Sequence, residues 1–163
     1  MRKICLIIIA VGMTLVGCST MTKEEKAAEA ARVEQAVADS LSEGHFKINV
    51  NWMMPLRGGA KNLSYGYYVK VDGNQLDSYL PYFGEVRYVP YGGGKGLNFE
   101  DEISYYTVNQ ASDRYEVVLS VTNEEDTYLY YITIFPNATA SISVRGRNRD
   151  AINYRGELDT TSK

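Results

Sequence analysis

The residue with the most readable chemistry in this chain is Cys18. It closes the run Leu15-Val16-Gly17-Cys18 and is followed by Ser19. This ending resembles the lipobox of bacterial lipoproteins, and the resemblance implies that Cys18 is lipidated and becomes the new N-terminus. Arg2 and Lys3 give the positive start and residues 4–17 carry no charge, so 1–17 reads as a lipoprotein-type signal peptide. The apolar run falls short of the ~20 residues that span a bilayer. The expectation is a protein of the cell envelope, anchored through lipid on Cys18 in the outer membrane and facing either the periplasm or the exterior. Ser19 is compatible with outer-membrane sorting.

Other residue types capable of chemistry occur without the spacing that chemistry needs. His45 is the only histidine, too few for a zinc site of His and Cys ligands. Cys5 leaves with the signal peptide and Cys18 takes the lipid, so no disulfide forms within one mature chain. The acidic clusters Glu100-Asp101-Glu102 and Glu124-Glu125-Asp126 lack the spacing of a calcium loop and lie at turns, where charge is solvated. No G-x-S-x-G elbow is present. The glycines of 92–96 flank Lys95 without the G-x-x-x-x-G-K-[ST] pattern, which leaves a turn or a backbone-amide site for an anion. Arg145, Arg147, Arg149 and Arg155 form either a basic hairpin tip that balances the acidic turns or a contact for an anionic partner. No catalytic residue, metal ligand or cofactor is assigned, and the protein is not expected to be an enzyme.

Specific recognition is expected in segment 80–99. Its candidate binding residues are Tyr82, Phe83, Arg87, Tyr91, Gly92, Gly93, Gly94 and Lys95. Large rings beside Pro and Gly form a preorganised aromatic surface with accessible amides, or else plug one end of the domain while the glycines turn the chain. Tyr65, Tyr67, Tyr68, Tyr79, Tyr82, Tyr88 and Tyr91 present a further choice, between a platform for sugar or peptide and rings buried on one face of the strands. Fourteen tyrosines against one tryptophan and four phenylalanines make this choice central. Tyrosine suits a half-buried pleated surface, ring inward and hydroxyl toward water.

The elements that position these residues follow from periodicity. Residues 22–43 read as a helix: Thr22 and Glu25 have capping-box spacing and Gly44 stops it. Ala30, Val33, Val37 and Leu41 form a narrow stripe, consistent either with light docking or with a helical spacer (18–44) between lipid and domain. From His45 the period becomes two. Phe46-Ile48-Val50-Trp52, Tyr65-Tyr67-Val69-Val71, Leu76-Ser78-Leu80, Tyr115-Val117-Leu119-Val121, Tyr128-Tyr130-Ile132-Ile134, Ala140-Ile142-Val144 and Ile152-Tyr154-Leu158 are strand faces. Shorter strands are expected at 86–89 and 103–108. The fold expected is all-β: one antiparallel β-sandwich or flattened barrel of about eight or nine strands over 45–158, preceded by one helix and followed by a flexible tail, 159–163.

Loss of Arg2 and Lys3 lowers the 17 basic residues to 15, against 20 acidic ones. An acidic chain lacks the basic face that phosphate binding requires, which excludes nucleic acid as a partner. The expected partners are the membrane, through Cys18, and a protein or glycan of the envelope.

Several longer motifs carry a resemblance. They are Ser78-Tyr79-Leu80-Pro81-Tyr82-Phe83-Gly84, Pro90-Tyr91-Gly92-Gly93-Gly94, Gly96-Leu97-Asn98-Phe99, Asp126-Thr127-Tyr128, Phe135-Pro136-Asn137 and Ile152-Asn153-Tyr154-Arg155-Gly156-Glu157. In this order the chain from 45 to 158 resembles the domain of unknown function 4251 family, of small secreted proteins and lipoproteins of Gram-negative bacteria. Met54-Pro55-Leu56-Arg57-Gly58-Gly59 is a looser match. The resemblance implies one domain and no assigned activity. The role expected is therefore non-enzymatic binding, with a glycan-active hydrolase or lyase, or a barrel carrier of a small apolar ligand, as alternatives.

Overall fold

Alternation of apolar and polar residues lets a strand bury one face and wet the other. In this chain it produces strands that close on themselves. The computed structural model describes residues 21–88 and 94–161. These form α1 (Lys23–Glu43), then β1 (His45–Pro55), β2 (Lys61–Asp72), β3 (Gln75–Leu80), β4 (Leu97–Gln110), β5 (Tyr115–Thr122), β6 (Thr127–Ile134), β7 (Thr139–Gly146) and β8 (Ile152–Leu158). Each strand pairs antiparallel with the next, and β8 pairs with β1, giving a closed up-and-down barrel. Of the two shorter strands expected, 103–108 is part of the long β4. Val86 makes only a single bridge, to Arg149, while Val89 lies outside the described residues.

Closure requires β1 and β8 to approach tightly. At that seam Gly156 faces Val50, and a Cβ on it would fall on the carbonyl oxygen of Asn49. Glycine within a strand marks such a close backbone approach. A few residues further along β1, Asn51 is an extra residue relative to β8, and in β2 residues 63–66 have no partner in β1. The wall therefore bulges outward there.

The interior is filled. Ile48, Val69, Leu76, Leu80, Val117, Leu119, Ile132, Ile134, Ile142 and Ile152 are all essentially inaccessible. Outward positions carry Lys47, Asn49, Asp77, Glu100, Glu102, Glu116 and Arg155, whose partners across the ladder share that face. This is the reverse of the apolar-out wall of a membrane-spanning barrel. Among the described residues no helix is long and apolar enough to cross a membrane.

In an up-and-down barrel alternate connections share an end. The helix closes one of them. Its capping box forms as the sequence predicts: the Glu25 amide donates to the Thr22 hydroxyl (3.2 Å) and the Thr22 amide to the Glu25 carboxylate (2.7 Å). Gly44 ends it at φ 71° and accepts from the Gly73 amide in the β2–β3 turn. Residues 23–32 are exposed, whereas Val37 and Leu41 are buried in the core with Val33 against them. The C-terminal half of the helix docks and its N-terminal half projects.

Candidate functional site

At the opposite end of the barrel lie residues 81–88 and 94–96, the described parts of the β3–β4 connection, the segment in which recognition is expected. Three core tyrosines hold it from below. Their rings fill the barrel and their hydroxyls reach the segment or its edges. The Tyr154 hydroxyl donates to the Pro81 carbonyl (2.7 Å) and the Tyr128 hydroxyl to the Gly96 carbonyl (3.0 Å). The Tyr130 hydroxyl donates to Ser78 Oγ (3.0 Å), which in turn donates to the Leu97 carbonyl (2.9 Å). Burial raises all three phenols, with Tyr128 pushed up to about 12, so they remain neutral donors. Three of the fourteen tyrosines are explained here: a buried ring supplies apolar area, and its hydroxyl satisfies, directly or through Ser78, a carbonyl of the segment or its edge.

A charged core lies between this segment and the β5–β6 and β7–β8 turns. The Arg149 side chain is only 4% exposed and that of Asp126 is fully buried. Arg149 Nε donates to Asp126 Oδ2 (3.2 Å), and Nη2 lies 3.7 Å from Glu125 Oε2. The guanidinium also sits between two aromatic faces, Tyr128 at 4.9 Å and Tyr82 at 5.3 Å. Asp126 accepts from the backbone amides of Thr127, Arg147 and Asn148, at 2.8 to 3.2 Å. The acidic turn expected to be simply solvated is thus in part buried. The reason is pairing: a carboxylate with an arginine and several amides no longer needs water. Sequence reasoning missed both Asp126 and Arg149 as a linked pair.

The expected site residues divide between the inner and outer faces of this cap. Tyr82 is half-buried, its ring on Arg149 and its hydroxyl 3.1 Å from the carbonyls of both Glu85 and Asp150; burial raises its pKa. The Arg87 amide donates to the Asn148 carbonyl (2.8 Å) and the Asp150 amide to the Glu85 carbonyl (3.1 Å), which fixes 85–87 as a short rung. Gly94 sits where a Cβ would lie 2.9 Å from Glu125 Oε2, and the Lys95 amide donates to Glu125 Oε1 (2.7 Å). Phe83, the Arg87 guanidinium, Tyr88 and Lys95 face outward. Lys61 Nζ lies 3.8 Å over the Phe83 ring, and Arg57 pairs with Glu85. Tyr91, Gly92 and Gly93 lie outside the described residues.

Among the described side chains of the platform, which leave out Tyr65 and Tyr91, the tyrosines divide between two places. Tyr67 stacks on Tyr79 at 5.5 Å and Tyr68 tilts against Tyr79 at 6.0 Å on the barrel wall, while Tyr82 and Tyr88 belong to the cap. The Tyr68 hydroxyl donates to Asp77 (2.8 Å), and Lys47 lies over its ring. At the helix end, His45 Nδ1 pairs with Asp72 (2.7 Å), both side chains exposed. Among the described residues no three or more His, Cys, Asp or Glu side chains are grouped to hold a metal ion.

A family model described as a domain of unknown function (DUF4251) matches residues 25–158, helix included. Among solved structures, a DUF4251 family protein from Bacteroides eggerthii DSM 20697 is similar with a TM-score of 0.61 and 16% identity, over 82% of this chain and 90% of that one. That likeness bears on the fold alone. No curated protein matches the chain.

Proposed function

This chain belongs to the DUF4251 family, and we propose that it is a non-enzymatic binding module of the cell envelope, tethered through lipid on Cys18, that meets a partner at the capped end of its barrel. The observation that carries this reading is the division of the cap into two faces. Beneath it, Tyr82, Arg149 and the hydroxyls of Tyr128 and Tyr154 fix the backbone. Above it, Phe83, Arg87, Tyr88 and Lys95 are exposed, Phe83 under Lys61 and Arg87 3.9 Å from the Asp150 carboxylate. A surface held by buried bonds loses little conformational freedom when a partner arrives, and rings beside cations are the groups that dominate such contacts.

The alternatives fare less well. A carrier needs an apolar cavity, whereas this interior is occupied by its own side chains. The buried carboxylate of the cap, Asp126, is held by Arg149 and backbone amides and so is not free to act in hydrolysis. The cations of the cap, in an acidic chain, favour a partner surface bearing acidic groups. The test is the double charge reversal Arg87→Glu with Lys95→Glu in the full chain. Both side chains are exposed, so the melting temperature should move by no more than a few degrees. Partners cross-linked to the wild type in intact envelopes should be lost. A variant that keeps them all would overturn the proposal.

A further inference from the structure

The bulged wall over β1 forms a second candidate surface, whose lining includes none of the cap residues Tyr82, Phe83, Arg87, Tyr88 and Lys95. It is a trough of about 710 Å³, bounded by β2 where it loops out at Gly66 (φ 112°) and by residues 159–161 beyond β8. This volume lies within the ~300–1,000 Å³ of small-molecule sites. Its floor and rim carry Asn49, Asn51, Trp52, Asn62, Tyr67 and Glu157.

We infer that this trough binds a neutral saccharide chain. Three features point to that chemistry. Trp52 is 43% exposed, an unusual position for the chain's single tryptophan, and its flat face matches the C–H face of a pyranose ring. Tyr67, at the β2 side, is locked by its stack on Tyr79, so the second ring is preorganised. The amides of Asn49, Asn51 and Asn62 have no hydrogen-bond partner within the described protein, and each offers a donor and an acceptor together. A sugar hydroxyl has that same dual character. The charged groups of the trough are Glu157 and Asp159, which repel anionic ligands. The bulge at Asn51 supplies the geometry: it sets Asn51 and Trp52 both on the outer face, where regular alternation would turn one of them inward.

Because Trp52 is the only tryptophan, its emission reports the site directly. The full chain in detergent is titrated with maltohexaose, cellohexaose, mannohexaose and xylohexaose, and heats are measured in parallel by calorimetry. At least one hexaose is expected to produce a saturable change. Asn51→Ala with Asn62→Ala should weaken it about tenfold by removing two hydrogen bonds. Trp52→Ala should abolish the heat, and Trp52→Phe should retain part of it. The cap variant Arg87→Glu/Lys95→Glu should bind the sugar as the wild type does, which separates this inference from the proposal above. The inference is overturned if no hexaose gives emission change or heat up to about 10 mM, far above the dissociation constants of weak specific sites. It is equally overturned if a folded Asn variant binds undiminished, or if only oligogalacturonate or hexalysine responds.

Discussion

Replacing Arg149 by methionine isolates the charged core of the cap. Methionine fills most of the arginine's volume, so the loss is electrostatic with little cavity contribution. What is left behind is Asp126, fully buried, and Glu125, 15% exposed, without the cation 3.2 and 3.7 Å away. Breaking one side of a buried pair costs about 3–5 kcal/mol. The backbone amides that still donate to Asp126 place the expected value near the lower end, about 3 kcal/mol. The lost contact with the Tyr82 and Tyr128 rings adds about 1 kcal/mol. For a domain of this size the total corresponds to a fall of roughly 10–20 °C in melting temperature. Thermal melts followed by circular dichroism measure it. Arg149→Lys should fall between, since it keeps the charge and loses the planar fork. The diagnostic is the cycle with Asp126→Asn: the double variant should be more stable than the sum of the singles implies, by at least about 1 kcal/mol. An Arg149→Met protein melting within about 2 °C of wild type, or strict additivity, would refute the idea that this pair holds the cap.

Other perturbations have equally definite outcomes. Leu41→Ala, at the helix face that closes the opposite end, should cost about 2–4 kcal/mol in urea unfolding, whereas substitutions in exposed 23–32 should cost almost nothing. The Tyr128 phenol keeps its proton to about pH 12 when folded and loses it near 10 when unfolded. The unfolded chain then binds fewer protons, so stability should fall as pH rises from 10 to 12, by about 3 kcal/mol from Tyr128 alone and by more in total because Tyr130 and Tyr154 are raised as well, read by urea midpoints with phenolate absorbance as the companion signal. Tyr154→Phe removes the donor to the Pro81 carbonyl and should cost about 1–2 kcal/mol, with faster hydrogen exchange at the Arg87 and Asp150 amides. Cys18→Ala should leave an uncleaved or soluble protein, as judged by fractionation.

The strand faces were legible because burial repeats every second residue: Phe46-Ile48-Val50 and Tyr128-Tyr130-Ile132-Ile134 all point inward. The choice between sandwich and barrel was not legible. It depends on β8 returning to β1, and the register of strands a hundred residues apart has no local signature beyond Gly156. Docking of the helix was concealed by its small stripe, of which only Val37 and Leu41 are buried. The Asp126–Arg149 pair was concealed for a different reason. Each residue sits in a turn rich in its own charge, and turns are ordinarily solvated. Up-and-down topology held the missing signal, because the turns after β5 and β7 must share an end, which sets an acidic turn beside a basic one. In segment 80–99, the aromatic and glycine pattern did not indicate which rings turn inward. That depends on Arg149, which attracts Tyr82 and leaves Phe83 exposed.

The measurement that bears most directly on the binding role is site-specific cross-linking in living cells. A photoreactive benzoylphenylalanine is placed in turn at Phe83, at Tyr88 and at Tyr105, an exposed ring on β4 away from the cap. A partner at the capped end gives discrete adducts from positions 83 and 88 and none from 105. No adduct at 83 and 88, or the same products from all three positions, would contradict the account.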